Sequence, residues 1–168
     1  SWCSDSAAAF EKRITTIECK KTGVNYTFTG DKNGSDNLEQ IGAFLGNDND
    51  TTGEGAADRY PAFYFAKNYK DTAANIKDTA YESGWYLPSI AELIEIWKVR
   101  KTVNAASVIF DGPNFSRDCF WSSSQTSKSI SEDSFAHLIL GDSTEYQNEP
   151  DSEYFPKNAQ FEVCAIRE

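Results

Sequence analysis

The run Gly84-Trp85-Tyr86-Leu87-Pro88-Ser89-Ile90-Ala91-Glu92-Leu93 constrains the fold more than any other segment of the chain. Ser89 and Glu92 stand three residues apart, ahead of an apolar stripe, which is the spacing of a capping box. The Ser89 hydroxyl takes the amide of Glu92, and the Glu92 carboxylate returns to the amide of Ser89. Ile90, Leu93, Ile94 and Trp97 then fall on one side of a 3.6-residue period, so the pattern predicts an amphipathic helix from 89 to about 100. Its apolar stripe needs a sheet to bury against, and residue 121 is the tryptophan expected in that sheet.

The surrounding pattern puts helices first and strands later. Residues 14–18 and 24–29 read as two short strands about a turn at 20–23. A polar loop covers 30–36. Asp36 then caps a helix through the amide of Glu39, Leu38, Ile41 and Leu45 follow at helical spacing, and Gly46 ends it. Residues 47–58 read as a polar loop. A calcium loop beginning at Asp48 would need an acid at its twelfth position, where Arg59 stands. Pro61 suits the first turn of a helix over 61–69 with Ala62, Phe65, Ala66 and Tyr69 on one face. Beyond Pro113 come strands at 119–124, 135–140, 143–147 and 161–167, with 149–158 as a long loop. Helices followed by strands predict an α+β domain spanning 1–168, with amino-terminal strands in 1–30 and the main body in 31–168.

Composition narrows the function classes. The 168 residues carry 26 acids and 16 bases, a formal charge of −10, which disfavours nucleic acid because such binding needs a Lys/Arg footprint. Aromatics make up 14%, enough apolar area to argue against disorder. No apolar run is long enough to span a bilayer. Methionine is absent even at position 1, so an initiator, signal peptide or upstream domain is expected to precede Ser1. Cys3, Cys19, Cys119 and Cys164 are too widely spaced for a metal knuckle or a redox CxxC pair. A Cys3–Cys19 disulfide closes the shortest loop, while Cys119 and Cys164 read equally as bridged cysteines or as buried thiols. The single histidine, His137, lacks the context of a nucleophile elbow or a zinc cluster. The chain therefore reads as non-catalytic, with no cofactor and no metal.

A resemblance sharpens this picture. Trp85-Tyr86-Leu87-Pro88-Ser89-Ile90-Ala91-Glu92-Leu93 is similar to the Trp-Arg-Leu-Pro-Thr…Glu-Leu helix start of formylglycine-generating (sulfatase-modifying-factor) domains and of the carboxy-terminal domain of collagen-like bacterial adhesins. In those domains a Trp-Ser-Ser strand follows and a Cys-x-Arg strand ends the fold. Here Phe120-Trp121-Ser122-Ser123-Ser124 and Val163-Cys164-Ala165-Ile166-Arg167 stand in the same order. The Tyr60-Pro61-Ala62-Phe63-Tyr64-Phe65 segment sits where the family has its first long helix, and the likeness covers 38–167. It implies a C-type-lectin-like fold, with two main helices packed on a small, mostly antiparallel sheet bearing long irregular loops. The copper chemistry of the formylglycine-generating enzymes uses two neighbouring cysteines, and only Cys119 lies in that region, so the activity is not carried over. Calcium-dependent sugar sites of this fold pair a Glu-Pro-Asn motif with Trp-Asn-Asp, and this chain has only Glu149-Pro150-Asp151.

The variable proteins of diversity-generating retroelements also resemble the chain, with diversified residues lying between the Trp-Ser-Ser and Cys-x-Arg strands, here 125–160. The resemblance implies a secreted or cell-surface receptor or adhesin domain, with a lipid anchor outside 1–168 as one means of attachment. Its expected partner is a protein or glycan on another cell or in the matrix. The expected ligand contacts are Arg117, Asp118 and Phe120 before the Trp-Ser-Ser strand, and Gln125, Ser127, Phe135, His137, Ile139, Glu145, Tyr146 and Tyr154 after it. Phe135, His137 and Ile139 alternate onto one strand face, which either projects to ligand or lies in the core. The competing readings are a structural surface-protein module and a sulfatase-modifying-type enzyme.

Overall fold

The computed structural model describes residues 1–22, 26–109, 115, 119–126, 135–140 and 151–168, with the backbone alone for 135–140 and 151–153. The architecture is α+β. Helices α1 (Asn37–Leu45), α2 (Asp48–Thr52), α3 (Ala56–Arg59), α4 (Pro61–Lys67), α5 (Ile90–Lys98) and α6 (Arg100–Ile109) occupy the middle of the chain. Strands β1 (Cys19–Thr22) and β2 (Thr27–Gly30) form one antiparallel hairpin, and β3 (Trp85–Tyr86) pairs with β8 (Ile166–Arg167). The main sheet has the order β6 (Asp151–Pro156), β5 (Phe135–Leu140), β4 (Cys119–Gln125), β7 (Glu162–Val163), antiparallel except for the β4–β7 pair.

β4 is the central wall. Phe120 faces one apolar cluster with Cys19, Phe28, Phe115 and the α5 residues Ile90, Leu93, Ile94 and Trp97. Trp121 faces the opposite way, into a cluster with Trp2, Ile14, Ile17, Ile41, Tyr60, Phe63 and Leu87. The α5 stripe is buried as the sequence predicts, though it meets the sheet through Phe120 rather than Trp121. Position 139 of β5 lies opposite Phe120 and position 138 opposite Trp121, and α5 also packs on β5.

Several expected elements differ. Residues 15–17 form a single 3₁₀ turn, because Ile14 and Ile17 are spaced by three and both turn inward, so the first strand starts only at Cys19. The expected polar loop at 47–58 holds α2 and α3. The absence of a side chain at Gly42 lets α2 pack on α1 there, since a Cβ would collide with the Thr51 hydroxyl. Asp36 caps nothing with its side chain, which instead accepts from the Gln40 side-chain amide at 2.9 Å. In α4 the inward residues are Ala62, Phe63 and Ala66, whereas Phe65 is exposed and Tyr69 lies beyond the helix. Helix α6 continues past the predicted end of α5, and β6 replaces part of the loop expected at 149–158. The strand expected at 161–167 divides into β7 and β8, which serve two different sheets. The strand expected at 143–147 lies outside the described residues. No helix among the described residues is long and apolar enough to cross a membrane.

Candidate functional site

The capping box forms. Ser89 accepts from the Glu92 amide at 3.2 Å, and Glu92 accepts from the Ser89 amide at 2.8 Å. Glu92 does more than cap: it also accepts from the Gly34 amide at 3.0 Å and the Tyr86 hydroxyl at 2.9 Å. The Ser89 hydroxyl donates to the Lys32 carbonyl at 2.7 Å. Gly34 fits this crossing because a Cβ there would lie 2.6 Å from the Ser89 nitrogen. Desolvation, reinforced by the Glu92 carboxylate, holds the Tyr86 phenol above its usual range.

The Trp-Ser-Ser strand is built into the same framework. Between Trp121 and Gln125 the register with β5 shifts, a bulge that releases the serines from the ladder. The Ser123 amide donates to the Pro88 carbonyl at 2.7 Å, and the Ser124 hydroxyl accepts from the Ile90 amide at 3.0 Å. The fully buried Asn37, with its amide nitrogen toward the Asn33 carbonyl (3.1 Å), accepts from the Ser123 hydroxyl at 2.7 Å. Trp85 and Tyr86 pair with Arg167 and Ile166, and Phe120 and Trp121 pair with Glu162 and Val163. Arg167 closes the assembly by donating to the carbonyls of Ser83 and Ala80, each at 2.7 Å. The three sequence motifs are thus one connected structure.

The amino-terminal segment is part of that structure. Lys157 is fully buried, and its ammonium donates to the carbonyls of Ala9 (2.7 Å) and Lys12 (2.8 Å) while lying 4.9 Å from the centre of the Trp2 ring. Its own carbonyl accepts from the Trp2 and Cys3 amides. A buried cation needs such partners. Cys3 and Cys19 lie in separate clusters and no disulfide joins them, contrary to the pairing favoured from loop length. Burial pushes both thiols up to about 12, for Cys3 against the opposing pull of the Lys157 ammonium, and Cys164 up to about 11. These thiols are poor nucleophiles, because the reactive form is the thiolate.

No protein family matches the chain, and neither does any curated protein or solved structure.

The expected ligand contacts separate into groups. Phe120 and Gln125 are corrections: both are buried, with 7% and 1% of their surface exposed. β4 is covered on both faces, Phe120 stacks on Phe115 with ring centres 4.4 Å apart, and Gln125 accepts from the Ile14 amide. Tyr154 is half-buried on β6, the end strand of the sheet among the described residues, and stands opposite His137 in the β5–β6 ladder. Phe135 and Ile139 lie opposite Pro156 and Ser152. Opposed positions share a sheet face, so 135, 137, 139 and 154 form one row whose 139 end lies opposite the buried Phe120. Arg117, Asp118, Ser127, Glu145 and Tyr146 lie outside the described residues.

Among the described residues, no group of three or more His, Cys, Asp and Glu side chains is placed to hold a metal ion. In the 47–58 segment Asp50 accepts from the Ala8 amide and the Tyr60 hydroxyl and pairs with Arg59. The sequence reading missed a cleft of about 140 Å³ between α1, α2, α4 and β3, lined by Trp85 and Tyr86. Both aromatics lie inside the motif that signalled the helix start, and that role concealed a surface one.

Proposed function

We infer that the protein is a secreted or cell-surface ligand-binding domain of C-type-lectin-like fold, which recognises a protein or glycan through its carboxy-terminal face. The observation that carries this reading is the convergence of the three motifs, in their expected order, on one hydrogen-bonded framework from which the β5–β6 ladder extends. Recognition surfaces are commonly strands and loops on such a scaffold, since they can vary without disturbing the core. The face comprises the outer part of the 135–137–154 row with the adjoining segments, and diversification would fall beyond the buried stretch that ends at Thr126. Gln125 drops out of the diversified interval for the same reason.

The test is a glycan and protein array probed with the domain, with and without calcium. Calcium-independent binding to a restricted set of probes is the expected result. A folded domain that binds nothing on the array would favour the structural-module reading. Oxidation of a cysteine-containing peptide by the copper-supplemented domain would assign it to the sulfatase-modifying class instead.

A further inference from the structure

The cleft between α1, α2, α4 and β3 has the parts of a small-ligand site. Its aromatic wall is held in place before any ligand arrives. The Trp85 indole nitrogen donates to the Tyr81 carbonyl at 2.6 Å, and the Tyr69 ring packs against the indole with centres 4.7 Å apart. Phe65 in turn packs on Tyr69 with ring centres 6.1 Å apart, so the indole is backed by a row of rings. The floor is apolar, formed by Leu38, Phe63 and Leu87.

The rim is polar and unengaged. Glu39, Ser35 and Lys67 line the cleft and are exposed, and their side chains have no hydrogen-bond partner among the described residues. Lys67 makes only a 5.9 Å approach to the Tyr64 ring. A larger groove of about 380 Å³ beside α5 differs in this respect: Lys98 pairs with Glu95 at 2.6 Å, and Glu92 is consumed by the capping box. Of its charged side chains that leaves Lys32, so the groove offers an ammonium without the free carboxylate and hydroxyl that accompany Lys67 in the smaller cleft.

Size and chemistry select the ligand. At about 140 Å³ the cleft is smaller than the roughly 300–1,000 Å³ of drug-sized pockets and accepts one ring. An indole wall opposite a rim holding a carboxylate, a hydroxyl and an ammonium suits a ring with an apolar face and a hydroxylated edge. We propose that this cleft binds one pyranose unit of a glycan, with Trp85 against the apolar face of the sugar and Glu39, Lys67 and Ser35 bonded to its hydroxyls. This site is separate from the carboxy-terminal face and stands whether or not that face binds.

The experiment titrates the whole chain with the methyl glycosides of glucose, galactose, mannose and N-acetylglucosamine, and with N-acetyltyrosine amide as a side-chain probe. Saturation-transfer NMR and the Trp85 indole N–H shift report binding. At least one glycoside should bind and move the Trp85 signal. Glu39→Gln should weaken it about tenfold, the scale of one hydrogen bond to a charged group. Because Glu39 is exposed and unpartnered, that variant keeps its melting temperature, whereas Trp85→Leu should abolish binding and tests the wall. Glu95→Gln in the larger groove should leave affinity unchanged. Failure of all four glycosides to bind, binding insensitive to both cleft variants, or preference for N-acetyltyrosine amide would each overturn the proposal. Variants of His137 and Tyr154 leave the cleft intact, so a failure here is distinguishable from a failure of the carboxy-terminal face.

Discussion

The two faces of β4 bury comparable aromatic side chains by different means. On the Phe120 side a regular helix supplies Ile90, Leu93, Ile94 and Trp97 in one stripe. On the Trp121 side the partners come from the amino-terminal segment, α1, α4 and the strand before α5, and no single period links Trp2, Ile14, Ile41, Tyr60, Phe63 and Leu87. The helix side draws its stripe from one local segment, which Cys19, Phe28 and Phe115 join, and it too holds a buried cation, Arg100, 3.7 Å from the centre of the Trp97 ring. The irregular side requires segments about 150 residues apart to meet, and it fixes them with a buried cation on two carbonyls. There the Lys157 cation ties segments far apart in sequence, whereas Arg100 bonds the carbonyl of Trp97, three residues away.

That difference can be broken by substitution. Trp121→Ala should be the most damaging change, costing about 3–5 kcal/mol, against about 2–5 kcal/mol for Leu93→Ala. Denaturant unfolding measures both, and a smaller loss for Trp121 would reverse the ranking of the two faces. Lys157→Met should cost about 1.5–3 kcal/mol, the range for a hydrogen bond to a charged group, because it leaves the Ala9 and Lys12 carbonyls without their donor. It should also raise hydrogen exchange at the Trp2 and Cys3 amides; unchanged protection would show that the amino-terminal segment is held by packing alone.

The helix side was legible because its signals are local. Ser89, Glu92 and four apolar residues lie within nine positions, and Gly46 marked the end of α1, where it takes a φ of 63°. The strand texture beyond Pro113 also pointed to 119–124 and 135–140, where β4 and β5 lie. The irregular side was not legible. Ile14 and Ile17 looked like strand residues until the turn between them was seen, and nothing near Lys157 reveals that its acceptors lie in residues 9 and 12. Among the candidate contacts, Phe120 and Gln125 failed for a related reason. Alternation assigns a face to each residue of a strand, but it cannot tell that a central strand is covered on both. The Trp85 cleft stayed hidden because its walls come from four elements that no short spacing connects.

Two smaller effects sharpen the comparison. The Cys3 and Cys19 thiols, one on each side of β4, titrate near 12 when folded, against an ordinary 9.0. Folded pKa values raised above the unfolded ones give stability that is fully present below pH 9 and lost as pH rises from 9 toward 12, because the unfolded chain releases those protons first. Melting temperatures across that window should fall, and Cys3→Ala should show a shallower slope than wild type; equal slopes would remove Cys3 from the account. Ser89→Ala should cost about 1 kcal/mol through loss of the cap, read as a shift of the denaturation midpoint with no change of slope.

The most direct test of the central claim, a recognition face mounted on a separate rigid framework, measures binding and stability together in the His137→Ala, Tyr154→Ala double variant. The account predicts that binding to the wild type's array targets is lost while the melting temperature stays close to wild type. Retained binding at full strength would contradict the assignment of the face, and a large fall in melting temperature with binding lost would place that row in the core instead.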